Sequence, residues 1–268
     1  MKTITTVYLT LSSTVLLFGS HPLMAACNDV PRQALENAIV AAESAGTDTG
    51  GYGLPMWVTM VDETGKVCHV ATSGTTGAGA GNSQWLGSRV ISAQKANTAN
   101  AFSLDGYAIS TANLYSAVQP GGSLYGLQHS NPVDSTRAYA GSPNAYGTNR
   151  DPLNNRRIGG VNVFGGGLAL YSGGKKIGAI GVSGDTSCRD HAYAWRVRTA
   201  LNMHPGGTGI STVNLNADGD VQTPLAGASV GDEMILTGSG GYWDAWSQPA
   251  CPNSTNAVTL DNGTLQAP

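Results

Sequence analysis

A lysine set among apolar neighbours, five histidines and four cysteines are the residues of this sequence best suited to chemistry. Lys95 falls on one helical face with Ile91, Thr98 and Phe102. An amine in such surroundings is a base or a Schiff-base donor, or else one half of a structural salt bridge to an acid at a sheet end. His129 lies in Leu127-Gln128-His129-Ser130-Asn131-Pro132, inside a long stretch without periodicity, where binding residues concentrate. It could transfer protons or donate to a metal. His191, beside Asp190 in the first turns of a helix, is a second donor. His69 reads as a packed strand histidine and His204 as a helix-end residue. Asp185, just after a strand, could orient a partner, and Arg89 could hold a carboxylate. Gly165, Gly166 and Gly167 form a turn whose N–H groups suit an anion.

Several chemistries are excluded. Gly227-Ala228-Ser229-Val230-Gly231 fits a nucleophile-elbow pattern, but no histidine follows His204 to complete a triad. There is no Walker loop, and Gly77–Gly81 lacks the spacing of a dinucleotide fingerprint. No two histidines have helical zinc-site spacing, and no CxxCH exists for covalent haem. A net charge of −3 and a pI near 5.9 leave no basic footprint for nucleic acid. Charged residues make up only 12% of the 268, and 37 are glycine, with no collagen-like period.

The elements that must position these residues follow from pattern. Residues 31–45 carry an apolar helical stripe of Ala34, Leu35, Ala38, Ile39 and Ala42. Residues 56–61 are a strand apolar on both faces. The turn at 62–66 returns the chain into 67–72. A second helix, capped by Ser88, runs to about Ser103, and a shorter one spans 110–118. Residues 119–157 carry no convincing period, and a loop of that length is usually functional or hides short elements. Strand pieces are expected at 161–164, 168–171 and 177–182, then a helix from Thr186 to about Asn202. Hairpin-linked strands with helices at both ends make an α+β fold.

Residues 1–25 read as a secretory signal, with Lys2, an apolar core over 8–18, and Leu23-Met24-Ala25 before the cut. An alternative is a lipoprotein anchored at Cys27. No segment reaches the length of a membrane span. In an oxidising compartment Cys27, Cys68, Cys188 and Cys251 are expected to form disulfides, with three connectivities open.

The sequence also resembles a known family. Ser88-Arg89-Val90-Ile91-Ser92-Ala93-Gln94-Lys95-Ala96-Asn97-Thr98-Ala99 is similar to the lysine-alanine-x-threonine-alanine helix of the GlcG/HbpS-like haem-binding or haem-degrading family. Met60-Val61-Asp62 with Gly65, Gly165-Gly166-Gly167-Leu168, and Ile177-Gly178-Ala179-Ile180-Gly181-Val182-Ser183-Gly184-Asp185 match its other motifs in order. The resemblance implies a profilin-like antiparallel sheet of about five strands with flanking helices. It also implies symmetric homo-oligomers and a link to haem or related tetrapyrroles. The domain would cover 26–204, with a C-terminal extension over 205–268. Its longer exported relatives share the stretches around His129 and Cys188.

Three functions follow. The first is an exported, periplasmic or secreted haem-binding protein. His129 or His191 would be its axial donor, and Phe164, Tyr125, Tyr139 and Trp85 its slot, beside Gly165 and Gly166. Arg89, Arg137, Arg156 or Arg157 would meet the propionates. The second is an enzyme on a small carboxylated or carbonyl metabolite, using Lys95, His129 and Asp185. The third is a non-catalytic structural or sensory oligomer, consistent with the two-sided apolar strand. The expected disulfides are Cys27–Cys68 and Cys188–Cys251, tying both chain ends to the core.

Overall fold

The computed structural model describes residues 26–44, 51–77, 85–215, 221–224, 231–238 and 240–251; the signal segment 1–25 lies outside them. Helices α1 (Ala26–Asp29) and α2 (Arg32–Ser44) lead into the hairpin β1 (Trp57–Asp62) and β2 (Val67–Thr72). Helix α3 (Ser88–Phe102) follows, then the short helices α4 (Leu127–Ser130) and α5 (Ser135–Ala138). Strands β3 (Gly167–Ser172) and β4 (Lys175–Ser183) form a second hairpin before α6 (Ser187–Ala200). A small ribbon, β5 (Val213–Leu215) and β6 (Val221–Pro224), lies in the extension.

The main sheet has four antiparallel strands in the order β2-β1-β4-β3, one fewer than the five expected. The missing piece is 161–164. It bonds to the long loop, with Val161 N–H donating to the Asn131 carbonyl, and joins no strand ladder. Residues 110–118 form turns and one 3-10 turn (Ser116–Val118) instead of an α-helix. Ser110 and Asn113 hold each other there through side chains, the local bonding by which these residues compete with helix. Helix α3 starts on Gly87, with Ser88 already inside it and no side-chain cap.

Alternation in β1 explains its uniform burial. Val58 and Met60 face α2 and α6, packing with Leu35, Ile39, Tyr193, Trp195 and Val197. Trp57 and Val61 face the other way, toward Val90, Ala93, Ala96 and Ala99 of α3. The chain's own helices therefore cover both faces of the strand that had suggested an oligomer interface.

Helix α3 lies unusually close to the sheet. Thr59, Gly181 and Gly167 are cross-strand partners on β1, β4 and β3. A side chain at Gly181 would collide with the Ser92 carbonyl and the Ala96 amide, and one at Gly167 with the Lys95 carbonyl. Thr59 and Ser92 close the contact with a 2.7 Å hydroxyl hydrogen bond.

Both expected disulfides are formed, with Cα–Cα separations of 4.9 Å for Cys27–Cys68 and 6.0 Å for Cys188–Cys251. A sulfur in a disulfide has no valence for a lipid thioether, so the anchor at Cys27 is set aside. The second bond joins α6 to the extension, which is also held by the buried Arg198–Asp232 ion pair at 2.6 Å. Asn113 adds a bond to the Glu233 carbonyl at 2.9 Å. Among the described residues no helix is long and apolar enough to cross a membrane, and no cluster of His, Cys, Asp and Glu could hold a metal.

Candidate functional site

The N-terminal half of α3, the end of β4 and the start of α6 converge on an open cleft of about 250 Å3. Lys95 is on its floor because the glycine row lets α3 sink onto the sheet. Its Nζ donates to the Val182 carbonyl at 2.9 Å and to Asp190 Oδ2 at 2.7 Å. Only 1% of Lys95 and 2% of Asp190 is exposed. Burial pulls the lysine below its ordinary pKa, against the attraction of Asp190. Burial likewise pushes Asp190 up to about 6, and Lys95 opposes it.

Asp190 is aimed by its helix. Thr186 caps α6 by accepting from the Arg189 amide, and the other Asp190 oxygen accepts from the Asp185 amide at 2.9 Å. The Asp185 carboxylate accepts from the amides of Tyr52, Leu54 and Thr186 and pairs with Arg189 at 3.3 Å. Both carboxylates that line the cleft are thus paired with a cation, Asp190 with Lys95 and Asp185 with Arg189. Ser88, Ser183 and Ser187 add hydroxyls, and Ile91 an apolar wall.

The rim is apolar and open. Phe164 is 43% exposed and Leu86 80%. Trp85 also lines the mouth, and Tyr52 meets it edge-on at 6.2 Å between centroids. Tyr115 backs Phe164 at 6.4 Å. Gly165 and Gly166 close the site from behind. A side chain at Gly165 would strike the Ser187 carbonyl of α6, and one at Gly166 the Val182 carbonyl of β4. Gly167 gives its amide to Thr111 Oγ1 at 2.9 Å.

Lys95, Asp185, Phe164 and the glycine turn are therefore brought together. His191 is fully buried behind Gly165, beside Trp195, and its pKa is pushed down to about 3 by burial and then by the charges of Arg198 and Lys95. His129 is exposed on α4 and does not line the cleft. Its helix is nevertheless tied to the strand-like segment ending at Phe164, since Leu127 packs with Val161 and Val163. Arg89 is committed elsewhere. Its guanidinium forks onto the Asp151 carboxylate and stacks 3.7 Å above the Tyr146 ring. It anchors the long loop to α3. Arg137 pairs with Asp134 at 2.9 Å on the surface, and Arg157 donates to the Thr64 carbonyl. Tyr125 and Tyr139 are exposed.

In the sequence Asp190 stands only as a neighbour of His191. The signal was present: an acid four residues past a Thr cap lies on the inner turn of α6. Asp151, 62 residues from Arg89, carried no such local signal.

The family model described as "Haem degrading protein HbpS-like" matches residues 31–198. The chain belongs to the HbpS-like family. The match covers every element of the HbpS-like domain that builds the cleft. Solved structures similar to this HbpS-like chain include a PduOC:heme complex, at 24% identity and a TM-score of 0.43 over 65% of this chain and 96% of that one. Klebsiella pneumoniae protein ORFY matches at 26% and 0.42, over 65% and 90%. A double mutant of Streptomyces reticuli HbpS matches at 16% and 0.39, over 74% and 98%. A search of curated proteins gave no match.

Proposed function

We propose that the protein binds haem or a related tetrapyrrole on the apolar rim of the cleft. The observation that carries this reading is the group Trp85, Leu86 and Phe164, exposed together at the mouth of a cleft in an HbpS-like chain. Haem needs a flat apolar surface, cations for its propionates and an axial donor. The rim meets the first need. The cleft lining contains no histidine, cysteine, methionine or tyrosine, so it offers none of the usual haem donors. The proposal is therefore binding of the macrocycle across Phe164, with His129 of the adjoining α4 as the axial donor. No chemical step is assigned to the iron.

The apolar segment 1–25 and the two disulfides support export to the periplasm or the medium. The exposed rim and the family's tendency support a homo-oligomer, which light scattering would read directly.

Hemin titration tests the main reading. A Soret shift saturating at one hemin per chain is expected. Phe164→Ala should weaken binding about tenfold, the loss of one aromatic contact. His129→Ala should convert the ligated band to a broad unligated one. No shift at stoichiometric hemin overturns the proposal, and an unchanged band in His129→Ala removes the axial assignment.

A further inference from the structure

Four buried charges meet at the cleft: Lys95, Asp190 and Asp185 line it, and Arg189 pairs with Asp185. Buried pairs are poor stabilisers, because desolvation offsets most of their attraction. Here they adjoin an open cavity, where such groups serve chemistry. Asp185 is held by three backbone amides and by its ion pair with Arg189. Lys95 is the amine among the residues that line the cleft.

We propose that Lys95 condenses with a small aldehyde or ketone admitted to the cleft, forming a protonated imine. This goes beyond the tetrapyrrole reading, since it uses the floor of the cleft and no haem. Each carboxylate lining the cleft already has a cation partner, which disfavours a charged ligand. Arg89, the side chain suited to a carboxylate, is occupied by Asp151. The walls Ile91, Phe164 and Trp85 suit a short carbon chain, with Ser88, Ser183 and Ser187 near enough to the floor to bond an oxygen.

The step balances within the site. Asp190 accepts one proton from the Lys95 ammonium. The free amine attacks the carbonyl carbon, the C–O double bond opens, and one amine proton passes to the oxygen to give a neutral carbinolamine. The carbinolamine oxygen takes the proton back from Asp190 and leaves as water. The product is an iminium that keeps one N–H and its positive charge. It retains the ion pair with Asp190 and gives up the bond to the Val182 carbonyl. Desolvation favours the free amine needed for the attack, and Asp190 serves as the proton acceptor.

The test uses the intact protein, propionaldehyde and sodium cyanoborohydride at pH 7, without any tetrapyrrole. Peptide mapping should find the reduced adduct on Lys95 at least tenfold above that on Lys66, Lys175 and Lys176. Ile91→Trp, which fills the cleft, should abolish labelling of Lys95 and leave the surface lysines unchanged. Adducts on the surface lysines with Lys95 unmodified overturn the proposal, as does Lys95 labelling that persists in Ile91→Trp. Neither result bears on the hemin titration, so the two readings fail separately.

Discussion

The Lys95 ammonium sits 2.7 Å from the Asp190 carboxylate, joining the middle of α3 to the first turn of α6 around the open end of β4. The pair crosses 95 residues of sequence and has almost no contact with solvent. Removing one partner leaves the other buried without compensation. Lys95→Met and Asp190→Leu should each cost about 3–5 kcal/mol, while the double variant should cost less than either. Urea unfolding of the four proteins decides it. A double variant as unstable as the sum of the singles would show that the pair is not the main interaction of either residue.

Arg89 holds the long loop by a fork and a ring stack that an ammonium cannot reproduce. Arg89→Lys should destabilise by about 2–3 kcal/mol and open residues 119–157 to limited proteolysis. Gly147 and Leu153 donate their amides to the same Asp151 carboxylate, so the loop loosens on both sides of it. Cleavage confined to other segments would refute this.

His191 gives a pH dependence. Its pKa is about 3 in the fold and 6.5 when free. Between these values the unfolded chain takes up a proton that the folded chain refuses. Stability is therefore lost as pH falls from 6.5 toward 3, by about 2–3 kcal/mol at pH 4.5. Asp190 works oppositely. Its folded value is about 6, so the folded chain is protonated first and gains stability as pH falls through 6. His191→Gln should shrink the loss of stability between pH 7 and pH 4.5. An equal loss in both proteins would show that His191 is not buried neutral.

Gly181 is where α3 touches β4. Gly181→Ala should cost about 1–3 kcal/mol by overpacking, and Gly181→Val should prevent folding. A Gly181→Ala protein with an unchanged thermal midpoint would mean that the helix can lift without penalty.

The fold was readable where periodicity and motif agreed. The stripe of α2, the hairpin at Gly65, α3 and β4 all follow from local pattern, and the apolar residues on both faces of β1 agree with its burial on both sides. Residues 161–164 misled because apolar alternation marks an extended chain without saying which neighbour it bonds. The site was half readable. Lys95 stood out as a cation on an apolar face, and Phe164 and Asp185 fell beside it. Arg89 looked equally free, and only its distant partner Asp151 shows that it is structural. Ion pairs across 62 or 95 residues leave no mark in composition or spacing. His191 read as a donor beside Asp190, yet it is fully buried, with Gly165, more than twenty positions away, packed against it.

The order of the disulfides has a consequence for how the chain matures. The first cysteine bonds the second and the third bonds the fourth. A chain entering an oxidising compartment N-terminus first presents its thiols in that same order. Cys27 can capture Cys68 before Cys188 arrives, and Cys188 then has only Cys251 left to meet. Each bond can form once, in sequence, with no misplaced pair to reshuffle. Such a chain calls for an oxidant during delivery and makes little demand on a disulfide isomerase.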